Sequence, residues 1–289
     1  MVNYRTVFRP DLFAGKVVIV TGGGSGIGRC MAHELVSLGA RVALVGRTIA
    51  KLESVRAELG GDAIAKIYSC DIRDATQVRA TVGAILADFG HAEGLINCAG
   101  GQFPAPLRDI SENGWNAVVR NNLTGCFLFM REVYVAWMEA HGGAIVNIGA
   151  DFQGGMPGMG HSGAARGGQA SLTFAASVEW AHAGVRVNMV QPGFIASSGL
   201  DHYPSSAAGT LRNVANHVPM KRHGTESEIS AAAVFLLSEA ASYTNGAVLR
   251  IDGGLHHNTN TSFYPLPEKA QSAPYIGFPL YKRPAVLDE

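Results

Sequence analysis

Short continuous apolar runs alternate along this chain with longer stretches in which apolar residues return every three or four positions. The runs KVVIV (16–20), RVALV (41–45), AKIYSC (65–70), GLIN (94–97), AIVNI (144–148), VRVNMV (185–190) and AVLRID (247–252) give seven strand candidates. Continuous apolar character over four to six residues suits strands covered on both faces. The helical period fills the gaps, from Gly26 to about Leu38, over 112–139 and over 163–182 among others. Strands and helices alternating at this length imply parallel pairing through right-handed crossovers. The predicted fold class is therefore α/β, a doubly wound parallel sheet of about seven strands in a single domain spanning 1–254. From Leu255 the pattern changes to prolines and aromatics (YPLPEKAQSAPYIGFPLYKRP). Residues 255–289 are expected to form an irregular tail packed on the domain or on a neighbouring subunit.

Composition narrows the function classes. Lys and Arg number 23 and Asp and Glu 23, so the formal net charge is zero, and no basic stripe points to nucleic acid or an anionic membrane surface. The four cysteines, Cys30, Cys70, Cys98 and Cys126, lack C-x-x-C spacing and neighbouring His ligands, which predicts buried free thiols in a reducing compartment and no metal site. The first residues, MVNYRTVFRPDLFAGK, lack the apolar core of a signal peptide, and no run approaches the roughly 20 apolar residues of a membrane span. A cytoplasmic location is expected.

The first candidate for chemistry is the turn after the first strand, VVIVTGGGSGIGRCMAHEL. Its glycines, Gly22, Gly26 and Gly28, permit a tight turn, close backbone approach to a pyrophosphate and close helix–strand packing. With Ser25 and Ile27 they open a helix whose unpaired N–H groups attract phosphate. At the end of the second strand, where an acidic residue would accept hydrogen bonds from the adenosine ribose, the chain has Gly46 and Arg47. A guanidinium there pairs with a 2′-phosphate and offers no acceptor, so the expected cofactor is NADP(H).

The spacing TGxxxGIG, together with NCAG (97–100), CDIRD (70–74), NNLTG (121–125), IVNI (145–148), EWAHAGVRVN (179–188), QPGFI (191–195) and IDGG (251–254), resembles the short-chain dehydrogenase/reductase family over about residues 12–254. The resemblance implies a Rossmann-type fold and a set of cofactor contacts. Asp71 and Ile72 would bound the adenine pocket, Asn97, Ala99 and Gly100 would line the middle of the cofactor, and Pro192, Gly193 and Ile195 would cover the nicotinamide. Ser197 takes the place of the family's Thr near the carboxamide, and Asn188 and Asp252 look structural. It also implies a homotetramer built through the helices at 112–139 and 163–182.

The catalytic positions depart from the family. Asn122 matches its Asn, but Gly149 and Ala150 stand where a Ser is expected, Ser162 stands in the Tyr place and Arg166 in the Lys place. A slip of one residue would put Gly163 and Gly167 there instead; a cation four residues on favours Ser162 and Arg166. Arg166 can hold ribose hydroxyls but does not deprotonate at working pH, and Ser162 is a very weak acid. Asp151, at the mouth of the sheet, and His161, beside Ser162, are the other candidates for proton transfer. Such a site is poorly equipped to deprotonate an alcohol. Reduction of a conjugated C=C asks only for hydrogen-bond donors at a thioester oxygen and a proton at the α carbon.

HSGAAR followed by EW resembles the peroxisomal-type trans-2-enoyl-CoA reductases and, more loosely, the 2,4-dienoyl-CoA reductases, which implies an acyl-CoA substrate and a place in fatty acid metabolism. The opening FRPDLFAGKVVIVTGGGSGIGRCMAHEL resembles bacterial short-chain dehydrogenases of citronellol catabolism, which implies a terpenoid alcohol or aldehyde. A cofactor-binding protein with little activity is the third reading. The loop QGGMPGMG (153–160) beside the site offers adaptable methionines for a long acyl or isoprenoid chain, or is irregular packing only.

Overall fold

The structure, a computed structural model, describes residues 3–257 and 266–288. In chain order the main elements are β1 (Val17–Thr21), α1 (Gly26–Ser37), β2 (Arg41–Gly46), α2 (Ile49–Leu59), β3 (Ala65–Ser69), α3 (Ala75–Phe89), β4 (Gly94–Asn97), α4 (Glu112–Val119), α5 (Gly125–Val133), α6 (Glu139–His141), β5 (Gly143–Ile148), α7 (Gly160–Glu179), β6 (Val185–Pro192), β7 (Ile195–Ala196), α8 (Ala208–Asn213), β8 (Gly224–Thr225), α9 (Glu226–Leu237) and β9 (Val248–Ile251). The seven predicted strands form one sheet in the order β3-β2-β1-β4-β5-β6-β9, and every pairing in it is parallel. The order reverses between β1 and β4, and ligands of such sheets bind at the carboxyl ends beside this reversal.

The two-residue period of the strands divides the core into two layers. Val18, Val20, Val42, Leu44, Ile96, Val146 and Val190 face one layer with Leu35 of α1 and Ile229 of α9, whereas Val17, Ile19, Val45, Leu95, Ile145 and Val187 face the other with Ile85 of α3 and Phe129 of α5. α1 and α9 meet around Glu34, which is fully buried and accepts hydrogen bonds from Tyr4, Thr6 and Ser230.

The predicted helix over 112–139 is continuous in direction, but its hydrogen bonding widens to π-helical at Arg120–Thr124 and Tyr134–Met138. Each π segment adds a residue to the turn, a feature that tends to sit at functional positions, and Asn122 lies in the first. The predicted helix over 163–182 begins earlier, at Gly160, so Ser162 and Arg166 share its first two turns. A small second sheet, β7 paired with β8, has two residues per strand, too few to show a period in the sequence.

The described part of the tail lies against its own domain. Phe278 is buried beside Tyr4 and Cys30, Gly277 N and Phe278 N both donate to Ser227 Oγ, and Leu287 packs with Ala196 and Leu211. Residues 258–265 of the expected tail lie outside the described residues. Among the described residues, no helix is long and apolar enough to cross a membrane.

Candidate active site

The glycine turn is shaped by what a side chain would strike. Gly22 has φ +71°, and a Cβ on it would lie 2.9 Å from the Ala99 backbone. A Cβ on Gly28 would lie 2.3 Å from the Gly22 carbonyl oxygen, so only glycine lets α1 sit this close to the end of β1. Thr21 Oγ1 accepts hydrogen bonds from Cys98 N and Ala99 N, which draws the NCAG segment against the turn. Ser25 precedes α1 in an extended conformation and its hydroxyl makes no capping bond, so among the described residues no side chain takes the first N–H groups of Gly26–Gly28. Those free donors, at the positive end of a helix, fit a pyrophosphate.

Toward the adenosine side, Arg47 is exposed at the end of β2. Asp71 is held by Arg73, whose Nε and Nη2 grip the carboxylate and whose backbone N–H also donates to it. That grip, with the Arg47 charge nearby, lowers the Asp71 carboxyl to about 2. Arg73, only two residues on, thus orients the carboxylate expected to meet adenine. Ile72 is buried, and a Cβ on Gly125 would lie 2.6 Å from its Cδ1, so the pocket wall and the helix through Asn122 pack tightly. Asn97 turns its amide inward: Nδ2 donates to Asn147 Oδ1, and Asn147 Nδ2 to Thr173 Oγ1. Its side chain therefore ties β4 to β5 and α7.

At the nicotinamide side of the expected site, Asn122 and Arg166 converge. A Cβ on Gly100 would lie 2.7 Å from both Asn122 Oδ1 and Arg166 Nη2. Asn122 braces the loop after β4 from both ends of its amide, accepting from Gly101 N and donating to Gly101 O, both at 2.9 Å. Arg166 is 7 % exposed; its Nη1 donates to Ile148 O at 2.9 Å and to Gln169 Oε1 at 3.1 Å. Its buried Nε has no hydrogen-bond partner among the described residues, and burial lowers its pKa from the usual arginine value. A Cβ on Gly149 would lie 1.9 Å from Met189 Cε, the far end of a flexible side chain, so a serine there would require Met189 to move.

Ser162 is fully buried, and its hydroxyl donates to Gln102 Oε1 at 2.7 Å. Gln102 Nε2 in turn donates to the Tyr203 hydroxyl at 3.0 Å. Ser162, Gln102 and Tyr203 thus form a chain of hydrogen bonds that the Tyr203 hydroxyl continues to Met159 Sδ at 3.8 Å. Neither Gln102 nor Tyr203 was singled out from the sequence; both lie in loops with no periodic pattern. The loop after Gly193 carries Tyr203, with Gly193 N bonded to Ile251 O and Ser197 N to Ile195 O.

The two other candidates sit differently. His161 is fully buried, its Nδ1 accepts from Ser162 N, and its ring meets Phe103 edge-on at 4.5 Å. That acceptor role places a hydrogen on Nε2, which has no partner among the described residues. Asp151 accepts from Gln191 Nε2 at 2.9 Å and approaches His256 Nδ1 at 3.5 Å. Among the described residues no hydrogen bond joins Asp151 to Ser162, Asn122 or Arg166. Its neighbours explain this: its backbone N–H bonds to Pro192 O, which seats it on the β6 side of the mouth.

An uncapped helix start after β1 and a buried cation on the helix that follows β5, beside a reversal of strand order, define a dinucleotide-binding protein of the doubly wound class. The comparisons make this specific. A family profile described as Enoyl-(Acyl carrier protein) reductase matches residues 22–256. The peroxisomal 2,4-dienoyl-CoA reductase of Danio rerio is 34% identical over 260 residues, which cover 88% of this chain and 86% of that one. The structure of the citronellol catabolism dehydrogenase of Pseudomonas aeruginosa PAO1 is 50% identical with a TM-score of 0.78, covering 87% of this chain and 99% of that one. A gluconate 5-dehydrogenase described as putative and NAD(P)-dependent, from Beutenbergia cavernae with bound NADP at low occupancy, is 32% identical with a TM-score of 0.79, covering 86% and 100%. The chain belongs to the short-chain dehydrogenase/reductase family, and so to the oxidoreductases that bind a nicotinamide cofactor.

Proposed function

We propose that this oxidoreductase uses NADP(H) to reduce the conjugated C=C bond of a 2-enoyl or dienoyl thioester. The observation that carries the reading is the pair Ser162 and Arg166. The hydroxyl spends its hydrogen on Gln102, and the cation does not give up a proton, so neither is a base for an alcohol. When bound, the dinucleotide supplies hydride. The residues of the chain then have lighter duties. Gly22, Ser25, Gly26, Ile27 and Gly28 hold the pyrophosphate, Arg166 holds ribose, and Pro192, Gly193, Ile195 and Ser197 close over the nicotinamide. Asn122 fixes the loop at Gly101. Tyr203, accepting from Gln102, donates its own O–H to Met159 Sδ at 3.8 Å, a weak acceptor that the enolate oxygen of the thioester would displace. The description of the matching family and the name of the zebrafish relative support a thioester substrate.

The test is a panel of 2-enoyl-CoA, 2,4-dienoyl-CoA and citronellol, followed by NADPH absorbance. Thioester-dependent loss of NADPH is expected. The second reading, a dehydrogenase of acyclic terpenoid alcohols, is favoured by 50% identity to a protein of citronellol catabolism; citronellol oxidation without thioester turnover would establish it in place of the first. Tight cofactor binding without turnover of any of the three would instead indicate a cofactor-binding protein.

Arg47 carries the choice of NADP(H), supported by its position at the end of β2 and by the NADP-bound relative. Arg47→Ala is expected to weaken NADPH binding roughly 10- to 100-fold, the range of a lost charge-assisted phosphate contact. NADH binding should change less than about twofold, since its ribose lacks the phosphate. Equal losses for both, read by fluorescence titration, would reject the assignment. Assembly into a homo-oligomer through α4–α6 and α7 accounts for exposed Phe127, Val135, Phe174 and Val178 on those elements. A monomeric mass in solution scattering would contradict it.

A further inference from the structure

Behind the glycine turn sits a carboxylate, Glu226. Glu226 is the first residue of α9, and it is 5 % exposed. A Cβ on Gly26 would lie 3.8 Å from Glu226 Oε1, 3.5 Å from Ser198 Oγ and 4.0 Å from Ser197 Oγ. The Glu226 carboxylate also faces the Ser198 backbone N–H, which favours its ionised form. One acidic side chain thus stands between the turn expected to hold the pyrophosphate and the loop expected to close over the nicotinamide.

We propose that Glu226 is a proton-coupled positioning residue for the dinucleotide, bridging the glycine turn and the Ser197–Ser198 loop, and that the pyrophosphate binds with Glu226 protonated. This rests on the assignment of the turn as the pyrophosphate site. The groups around the carboxylate do not neutralise it. From α1 it faces Arg29 and Cys30, from the loop after β4 Cys98, and from the tail Tyr281. Arg29 is the one cation among the described residues that faces it, and its Nε is bonded to Glu58 at 2.8 Å while its guanidinium lies over the Phe278 ring. The thiols and the phenol are uncharged near neutral pH, burial and the neighbouring carboxylates raising all three. Burial pushes the Glu226 carboxyl itself up to about 7. Bringing a pyrophosphate against the same turn adds like charge, which disfavours the ionised form further, so binding takes up a proton and weakens once Glu226 ionises. A protonated carboxyl keeps a carbonyl oxygen for Ser198 N–H and gains an O–H to offer.

The experiment measures dinucleotide binding from pH 6 to 9 for the full chain and for Glu226→Gln, by fluorescence titration of NADPH and NADH. Calorimetry in two buffers of different ionisation enthalpy counts protons. NADH serves as the control for the 2′-phosphate, which titrates on its own. In the native chain the affinity for both is expected to fall by up to about tenfold per pH unit above neutral, with up to about one proton taken up on binding. Glu226→Gln is expected to flatten that dependence and to bind roughly tenfold more tightly than the native chain at pH 8.5, since the amide has the same shape and no charge. Glu226→Ala should flatten the pH dependence as well while losing the bridge to Ser198, and so bind more weakly than Glu226→Gln at every pH. An identical pH dependence in the native chain and Glu226→Gln, with no proton uptake, would overturn the proposal and leave the turn as the pyrophosphate site. Failure of both dinucleotides to bind at any pH would overturn the assignment of the turn, and the proposal with it.

Discussion

Gly28→Ala is expected to abolish measurable dinucleotide binding and to lower the unfolding free energy by about 3 kcal/mol. The new methyl would lie 2.3 Å from the Gly22 carbonyl oxygen and 2.8 Å from its carbonyl carbon, a distance no rotamer relieves because both partners are backbone. Relief requires α1 to move off the end of β1. That motion would draw Thr21 from Cys98 N and Ala99 N and would re-aim the free N–H groups at the start of α1. Fold and cofactor site therefore fail together here. Gly83→Ala is the matched control. Gly83 lies inside α3, a methyl there meets nothing within 4 Å, and its substitution should be neutral or raise stability by about 0.5–1 kcal/mol through lower chain entropy. Urea unfolding and NADPH fluorescence on the two variants check both expectations. NADPH affinity within twofold of native in Gly28→Ala would show that the close approach is dispensable.

The same contrast explains what was legible in the sequence. The seven strands were legible because a doubly covered sheet needs continuous apolar runs, and the alternation of Val17 and Ile19 against Val18 and Val20 carries both faces in one word of sequence. The glycine turn was legible because steric exclusion leaves few residue choices. The polar half of the site obeys neither constraint. Gln102 and Tyr203 come from loops about a hundred residues apart in the chain, and only folding brings them into a line with Ser162. Asp71 and Asn97 were visible as motif residues, yet their side chains are claimed by Arg73 and Asn147, which no spacing announces. Asp151 and His161 stood close to the right place in sequence. The first bonds to Gln191 on β6, and the second turns into a buried contact with Phe103. Glu226 passed unnoticed because an acidic residue opening a helix is ordinary; its burial against Gly26 is what makes it unusual.

Arg166→Met is expected to reduce kcat/KM by about a thousandfold, or roughly 4 kcal/mol of transition-state stabilisation, and to weaken dinucleotide binding at least tenfold. The long apolar side chain fills the space of the guanidinium stem, so the loss reports the charge and its hydrogen bonds. Ile148 O and Gln169 Oε1 would lose their donor at a buried site, which costs about 1–3 kcal/mol each, offset in part by removal of a desolvated cation. A net destabilisation of about 2 kcal/mol follows, small enough for the folded protein to be assayed. Arg166→Lys separates charge from permanence. A lysine keeps the cation but replaces the planar fork by a single ammonium, so a loss of roughly tenfold is expected at neutral pH. It also titrates. The burial that depresses the guanidinium would depress an ammonium into an accessible range, and a lysine loses its charge as pH rises. With dinucleotide saturating, Arg166→Lys should therefore show a fall in kcat toward alkaline pH that the native enzyme lacks. An alkaline fall of the same midpoint in both would mean that the titrating group lies elsewhere and that Arg166 contributes position alone. Its absence from the native profile would fit a reaction that asks this residue for a fixed charge and never for a proton, as reduction of a conjugated C=C does.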